Sequence, residues 1–147
     1  MADRIVIVRV GAYLLSLPFA QIDEILGPDR AVTGSGVPEE VLSRDPSATR
    51  WISSRRRWLP VGKILPGQES GDAAQIVVVR GGGTGRAFMV DQVLGIESAG
   101  AISPFPDAAR PYTDIPFAGV RFWKDRPVLE LDLSGLISLD RGNRRIG

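Results

Sequence analysis

Arg55, Arg56 and Arg57, followed at once by Trp58, are the densest concentration of recognition chemistry in this sequence. A guanidinium presents a planar fork of donors that can take a carboxylate or a helix-end carbonyl, and an indole beside it supplies a rigid apolar anchor. What is missing narrows the chemistry further, because the chain contains no histidine and no cysteine. Disulfides, thiolate metal sites, thiol nucleophiles, a Ser-His-Asp triad and a phosphohistidine relay carried by this chain are all excluded. Carboxylates do occur in pairs, Asp23 with Glu24 and Glu130 with Asp132, and such pairs can perform acid–base work. Nothing around them marks a substrate pocket, so solvated faces account for them. We expect no catalytic residue, no metal and no cofactor.

A second candidate is "IVVVRGGGTGRAFMVDQ", residues 76 to 92, where an apolar run breaks on four glycines. Glycine-rich turns after strands often cradle phosphate, because bare backbone N–H groups converge on the anion. The phosphate-loop pattern needs Lys-Ser or Lys-Thr after its last glycine, and Gly85 is followed by Arg86. The dinucleotide pattern G-x-G-x-x-G fails as well, since Phe88 stands three residues after Gly85. "RAFMV" is too short and too β-prone to be the helix such sites require. The spacing predicts a hairpin tip between two strands.

The elements that must position these residues follow from patterning. A chain of 147 residues with 44% apolar and 24% charged residues fits one soluble domain, or two small lobes sharing a core. No stretch approaches the ~20 apolar residues of a membrane span, and a cytoplasmic protein is expected. The net charge of +1 argues against a broad phosphate footprint, although a small barrel binding nucleic acid through Arg55, Arg56, Arg57 and the tryptophans is an alternative of another class. Arg141, Arg144 and Arg145 form a basic tail, residues 141 to 147, read as a solvated end.

The sequence repeats itself. Laying Ile5 on Ile76 brings "IVIVRVGAYLLSLPFAQIDEI" onto "IVVVRGGGTGRAFMVDQVLGI" without a gap. Ile5, Val6, Val8, Arg9, Gly11, Gln21 and Ile25 meet identical residues, which indicates a duplicated supersecondary unit. Each copy reads as strand, hairpin and strand, followed by one or two helical turns, because Phe19, Ile22, Ile25 and Val90, Val93, Ile96 recur three apart. Asp91 would cap the second of these turns. "WISSRRRWLPVGKIL" and "GVRFWKDRPVLELDLSGLI" follow the two copies as charged-turn hairpins, and short strands at such intervals read as small antiparallel barrels. Residues 27 to 49 show little periodicity, residues 66 to 74 read as a polar linker, and the prolines of 103 to 118 make a constrained loop. Trp51, Trp58 and Trp123 are expected to cap open barrel ends with their indole N–H groups in water.

In this order, "IVIVRVGAYLLSLPFAQIDEIL", "WISSRRRWLPVGKIL", "FMVDQVLGI" and "GVRFWKDRPVLELDLSGLI" give a chain that resembles the CheW-like domain of bacterial chemosensory systems, over roughly residues 4 to 138. The resemblance implies a mostly β fold of two five-stranded SH3-like barrels packed through an apolar seam, with one or two short helices, as a single domain of two intertwined lobes over residues 1 to 140. It implies a non-enzymatic adaptor that joins a chemoreceptor's cytoplasmic tip to the regulatory domain of a CheA-type histidine kinase. It leaves room for other CheW-like proteins as partners, and implies neither nucleic-acid binding nor membrane insertion. Pro60 aligns the second stretch so that Arg55 falls on the family's arginine. Ser53, Arg56 and Trp58 stand beside it, and Ile22, Ile25 and Val93 are the apolar residues expected at the groove between barrels. The family pattern has glycine where this chain has Arg56 and Arg50, asparagine at Ser53, and aspartate at Lys63. Those departures favour, as an alternative, a divergent member that binds only one of the two partners.

Overall fold

The computed structural model describes residues 4–64, 75–80, 85–98, 100–104 and 117–132. The strands, in chain order, are β1 (Arg4–Val10), β2 (Tyr13–Pro18), β3 (Ile22–Leu26), β4 (Trp51–Ser54), β5 (Arg57–Lys63), β6 (Gln75–Val79), β7 (Arg86–Val90), β8 (Gln92–Ser98), β9 (Ser103–Pro104), β10 (Phe117–Trp123) and β11 (Arg126–Leu131). They form two curled sheets, ordered β8-β1-β2-β11-β10-β9 and β3-β6-β7-β5-β4. The two-residue β9 makes the first sheet six-stranded. Among the described residues the only α-helical element is a single turn, α1 (Glu39–Leu42), so the fold is mostly β.

The two orders correspond strand for strand once the repeat is applied. β1 and β2 match β6 and β7, β3 matches β8, and the hairpin β4–β5 matches β10–β11. Each copy keeps its first hairpin but lends its third strand to the other: β3 pairs β6, and β8 pairs β1. The lobes are therefore intertwined. Both hairpins that follow the copies also return in parallel, β5 beside β7 and β11 beside β2.

Strands β1 and β6 read as unbroken β-branched runs because both of their faces are buried. Val6, Val8, Val77 and Val79 point into a core shared by the two sheets, together with Leu15, Leu17, Phe88, Val90, Phe117 and Leu131. Ile76 and Val78 point the other way, into the interior of the second lobe with Leu26, Ile52, Leu59 and Ala87. A third cluster lies outside that lobe, where Val37 and Val41 from the segment before β4 pack on Trp51. That segment, unreadable by periodicity, is tied down by a bridge between Val32 and Trp51.

Two expectations are corrected here. Phe19–Gln21 forms one 3-10 turn, but Ile22 and Ile25 belong to β3, and Val93 and Ile96 to β8. The spacing of three arises from a β-bulge in each strand. Ile22 and Glu24 face consecutive partners Val79 and Val78, leaving Asp23 as the extra residue. Val93 and Gly95 face Val8 and Ile7, leaving Leu94 as its counterpart. One inserted residue resets a period of two to three, so Ile22 and Ile25 share a face as they would on a helix. Asp91, accordingly, caps no helix. Its Oδ2 accepts from the Gly11 N–H at 2.6 Å and lies 3.6 Å from Arg9, locking the first hairpin turn, where Gly11 adopts φ +61°.

Trp51 is the other correction: it is buried under the third cluster, and its Nε1 has no hydrogen-bond partner among the described residues. Of the glycine run only Gly85 falls among them, at φ +76°, where a Cβ would lie 3.2 Å from the Val79 carbonyl oxygen. Residues 81–84, the expected linker, most of the proline-rich loop and the basic tail lie outside the described residues.

Candidate functional site

The β4–β5 hairpin carries Ser53, Arg55, Arg56 and Trp58, and its shape is set by a two-residue turn. Arg55 and Arg56 have φ of +50° and +65°, the signature of the turn whose twist matches a β-hairpin. Glycine or asparagine normally fills such positions, because an L side chain at positive φ crowds its own backbone. The matching hairpin β10–β11 turns through Lys124 and Asp125 at +50° and +62°. Both tips thus hold exposed charged residues at positive φ.

Ser53 and Trp58 face each other across the ladder. Trp58 is half-buried against the cluster around Trp51, while Ser53 is exposed. On the inner face Ser54 donates its hydroxyl to the Glu24 carboxylate, joining β4 to β3, the two outermost strands of their sheet. Arg55 makes a second tie between the same strands, with Nη2 3.2 Å from Asp23 Oδ1. The carboxylate pair at Asp23 and Glu24 is therefore committed to closing a lobe. Glu130 is likewise occupied: its Oε1 accepts from Arg121 Nε at 3.3 Å and from Nη2 at 3.0 Å.

Two of the three remaining expected residues lie against the shared core. Ile22 and Val93 are half-buried and pack on the shared core, and the Val93 N–H donates to Gln75 Oε1 at 2.7 Å. Ile25 is exposed, as is its repeat counterpart Ile96. Ile22 is thus brought next to the arginine hairpin through Asp23, whereas Val93 sits on the other sheet.

Sequence reading assigned no role to Arg80 and weighed Asp23 only as an acid–base candidate. Arg80 Nε lies 3.5 Å from Asp23 Oδ1, and Arg57 Nη2 lies 3.9 Å from Oδ2. The available signal was in the repeat: Asp23 aligns with Leu94, a charge set against an apolar residue. On the matching hairpin, where sequence reading singled out only Trp123, a further exposed aromatic stands beside it. Phe122, 74% exposed, faces Pro127 across β10–β11, and Lys124 Nζ lies 4.6 Å from the ring centre of Trp123.

Two intertwined β lobes, with the Asp23, Glu24 and Glu130 carboxylates each bonded to arginine or serine, define a mostly β, two-lobed domain. The model of the CheW-like domain family matches residues 4–141, and the chain belongs to that family. Its members are scaffold proteins rather than enzymes, and they interact with receptors and with CheA. The fold is similar to a crystal structure of the scaffolding protein TtCheW from Thermoanaerobacter tengcongensis, with a TM-score of 0.70 at 18% identity over 92% of each chain. No curated protein sequence matches. No helix among the described residues is long and apolar enough to cross a membrane.

Proposed function

We propose that this protein is a chemosensory adaptor that couples a chemoreceptor's cytoplasmic tip to the regulatory domain of a CheA-type histidine kinase, in the cytoplasm and by binding alone. The observation that carries the reading is the family match together with Arg55 at the turn of the β4–β5 hairpin. Arg55 is 61% exposed although one of its nitrogens is engaged by Asp23, so the rest of its fork faces outward. Ile25 and the half-buried Ile22 and Val93 supply apolar contact beside the seam, with Ser53, Arg56 and Trp58 on the same hairpin as Arg55. Pull-down of a receptor cytoplasmic fragment and of a kinase regulatory domain tests this. Capture of both supports the adaptor, and capture of neither sinks it.

A second reading is a divergent member that engages one partner only. It is favoured by Arg56, an exposed cation at φ +65° where the family pattern has glycine. Separate titrations decide, because comparable affinity for both partners removes this alternative.

A further inference from the structure

Three guanidiniums converge on the Asp23 carboxylate, whose side chain is only 7% exposed, while Arg55 and Arg80 remain 61% and 66% exposed. The bulge in β3 is what turns Asp23 out of the ladder toward them. Arg55 and Arg80 share one oxygen of a group carrying one negative charge, so their two positive charges are not balanced by it. A guanidinium has five donors. Arg80 is held by Nε, which leaves its Nη edge uncommitted to Asp23. The two arginines come from different repeat copies, one from the β4–β5 turn and one from the end of β6. The other lobe has no equivalent, because Leu94 occupies its bulge.

We propose that Asp23 is the positioning residue of a two-arginine fork, Arg55 with Arg80, that receives a helical segment of a partner protein bearing two carboxylates one turn apart. Charge complementarity sets the occupant. Side chains four apart on a helix have Cβ atoms about 5–6 Å from each other, a spacing that two guanidiniums meeting at one oxygen can address together. Holding both arginines beforehand removes the ordering cost that long side chains otherwise impose on binding. The inference rests on the reading that Arg55 contacts a partner, and adds Arg80, Asp23 and the acidity of what they meet.

Calorimetric titration of the full chain with a receptor cytoplasmic fragment tests it, on wild type, Asp23→Asn, Asp23→Glu, Arg80→Gln and Arg55→Glu, each checked by thermal melting. Asp23→Asn raises the site's net charge by one, so a diffuse basic patch would bind an acidic partner more tightly. The fork instead loses roughly tenfold in affinity, and Asp23→Glu restores most of it. Arg80→Gln also loses about tenfold and, being an exposed change, carries the test if Asp23→Asn fails to fold. Tighter binding by Asp23→Asn, or unchanged binding by Arg80→Gln, overturns the fork. If Arg55→Glu abolishes binding while those two variants do not weaken it, only the fork fails. If Arg55→Glu binds normally, the contact role of Arg55 fails with it.

Discussion

Arg56 sits on backbone that costs stability. At φ +65° an arginine gives up about 1–2 kcal/mol relative to a residue at ease in that region. Arg56→Gly should therefore raise stability by about 1 kcal/mol in urea unfolding, after the greater freedom that glycine gives the unfolded chain is allowed for. A loss of stability would mean that the side chain makes contacts that outweigh the strain. Ser16 offers a contrasting case in the first lobe. It is fully buried, its hydroxyl has no partner among the described residues, and its counterpart by the repeat is the buried Ala87. Ser16→Ala is expected to be neutral or to stabilise by up to about 1 kcal/mol by thermal melting, since a desolvated hydroxyl without a bond is a net cost. Part of this scale was legible in the sequence: a charged turn within the "WISSRRRWLPVGKIL" hairpin was expected and is present, and the family pattern's glycine marked Arg56 as a departure. Asp23 was not legible as a hub, because the arginines that reach it lie more than thirty positions away in the chain and meet it only after β3 crosses to the other copy.

The elements show which features survive as pattern and which depend on tertiary contact. Apolar spacing of three in β3 and β8 imitated a helix because a bulge and a helical turn bring the same pair of residues to one face. The segment before β4 had no readable period because its few apolar residues, Val37 and Val41, are ordered by Trp51 rather than by their own regularity. Trp51→Ala should cost about 3–5 kcal/mol and release that segment to limited proteolysis. The two lobes also differ inside. Where the second pairs Val61 with Ala87, the first pairs Glu130 with Ser16, and Arg121 stands where the second lobe has Ile52. Arg121 and Glu130 are almost buried and bonded to each other, and Arg121 also donates to the Gly100 carbonyl. Glu130→Val alone should cost about 3–5 kcal/mol by stranding the guanidinium, and adding Arg121→Ile should recover most of that. A double variant no better than the single one would show that the tether to Gly100 outweighs the ion pair. The first lobe's edge rests on a close approach as well. A Cβ on Gly119 would lie 2.5 Å from both Ile102 Cγ1 and the Ser103 carbonyl oxygen. Gly119→Ala is thus expected to destabilise by about 1–3 kcal/mol and to weaken protection of the β9–β10 pairing in hydrogen exchange.

At the scale of the whole molecule the exchange of β3 and β8 makes each lobe incomplete without the other. The shared core draws on β1, β2, β6, β7 and β11, so neither copy can bury its apolar face alone. Unfolding should follow a single cooperative transition with coincident fluorescence and circular dichroism curves. Two separated transitions would contradict an intertwined core. Duplication was visible in the sequence as the match of residues 5–25 with 76–96, and the order of four motifs carried the family. Intertwined lobes came only with the family resemblance; the residues alone did not show which strands are exchanged, since a strand's partner is fixed by long-range packing rather than by its own residues. In this frame the arginine-bearing β4–β5 hairpin is tied to β3 through Asp23 and Glu24. The most direct measurement is titration of a receptor cytoplasmic fragment into wild type and Arg55→Glu proteins of equal thermal stability. The account predicts saturable, salt-sensitive binding by wild type and loss of at least tenfold in the variant. Equal affinity of the two folded proteins would contradict it.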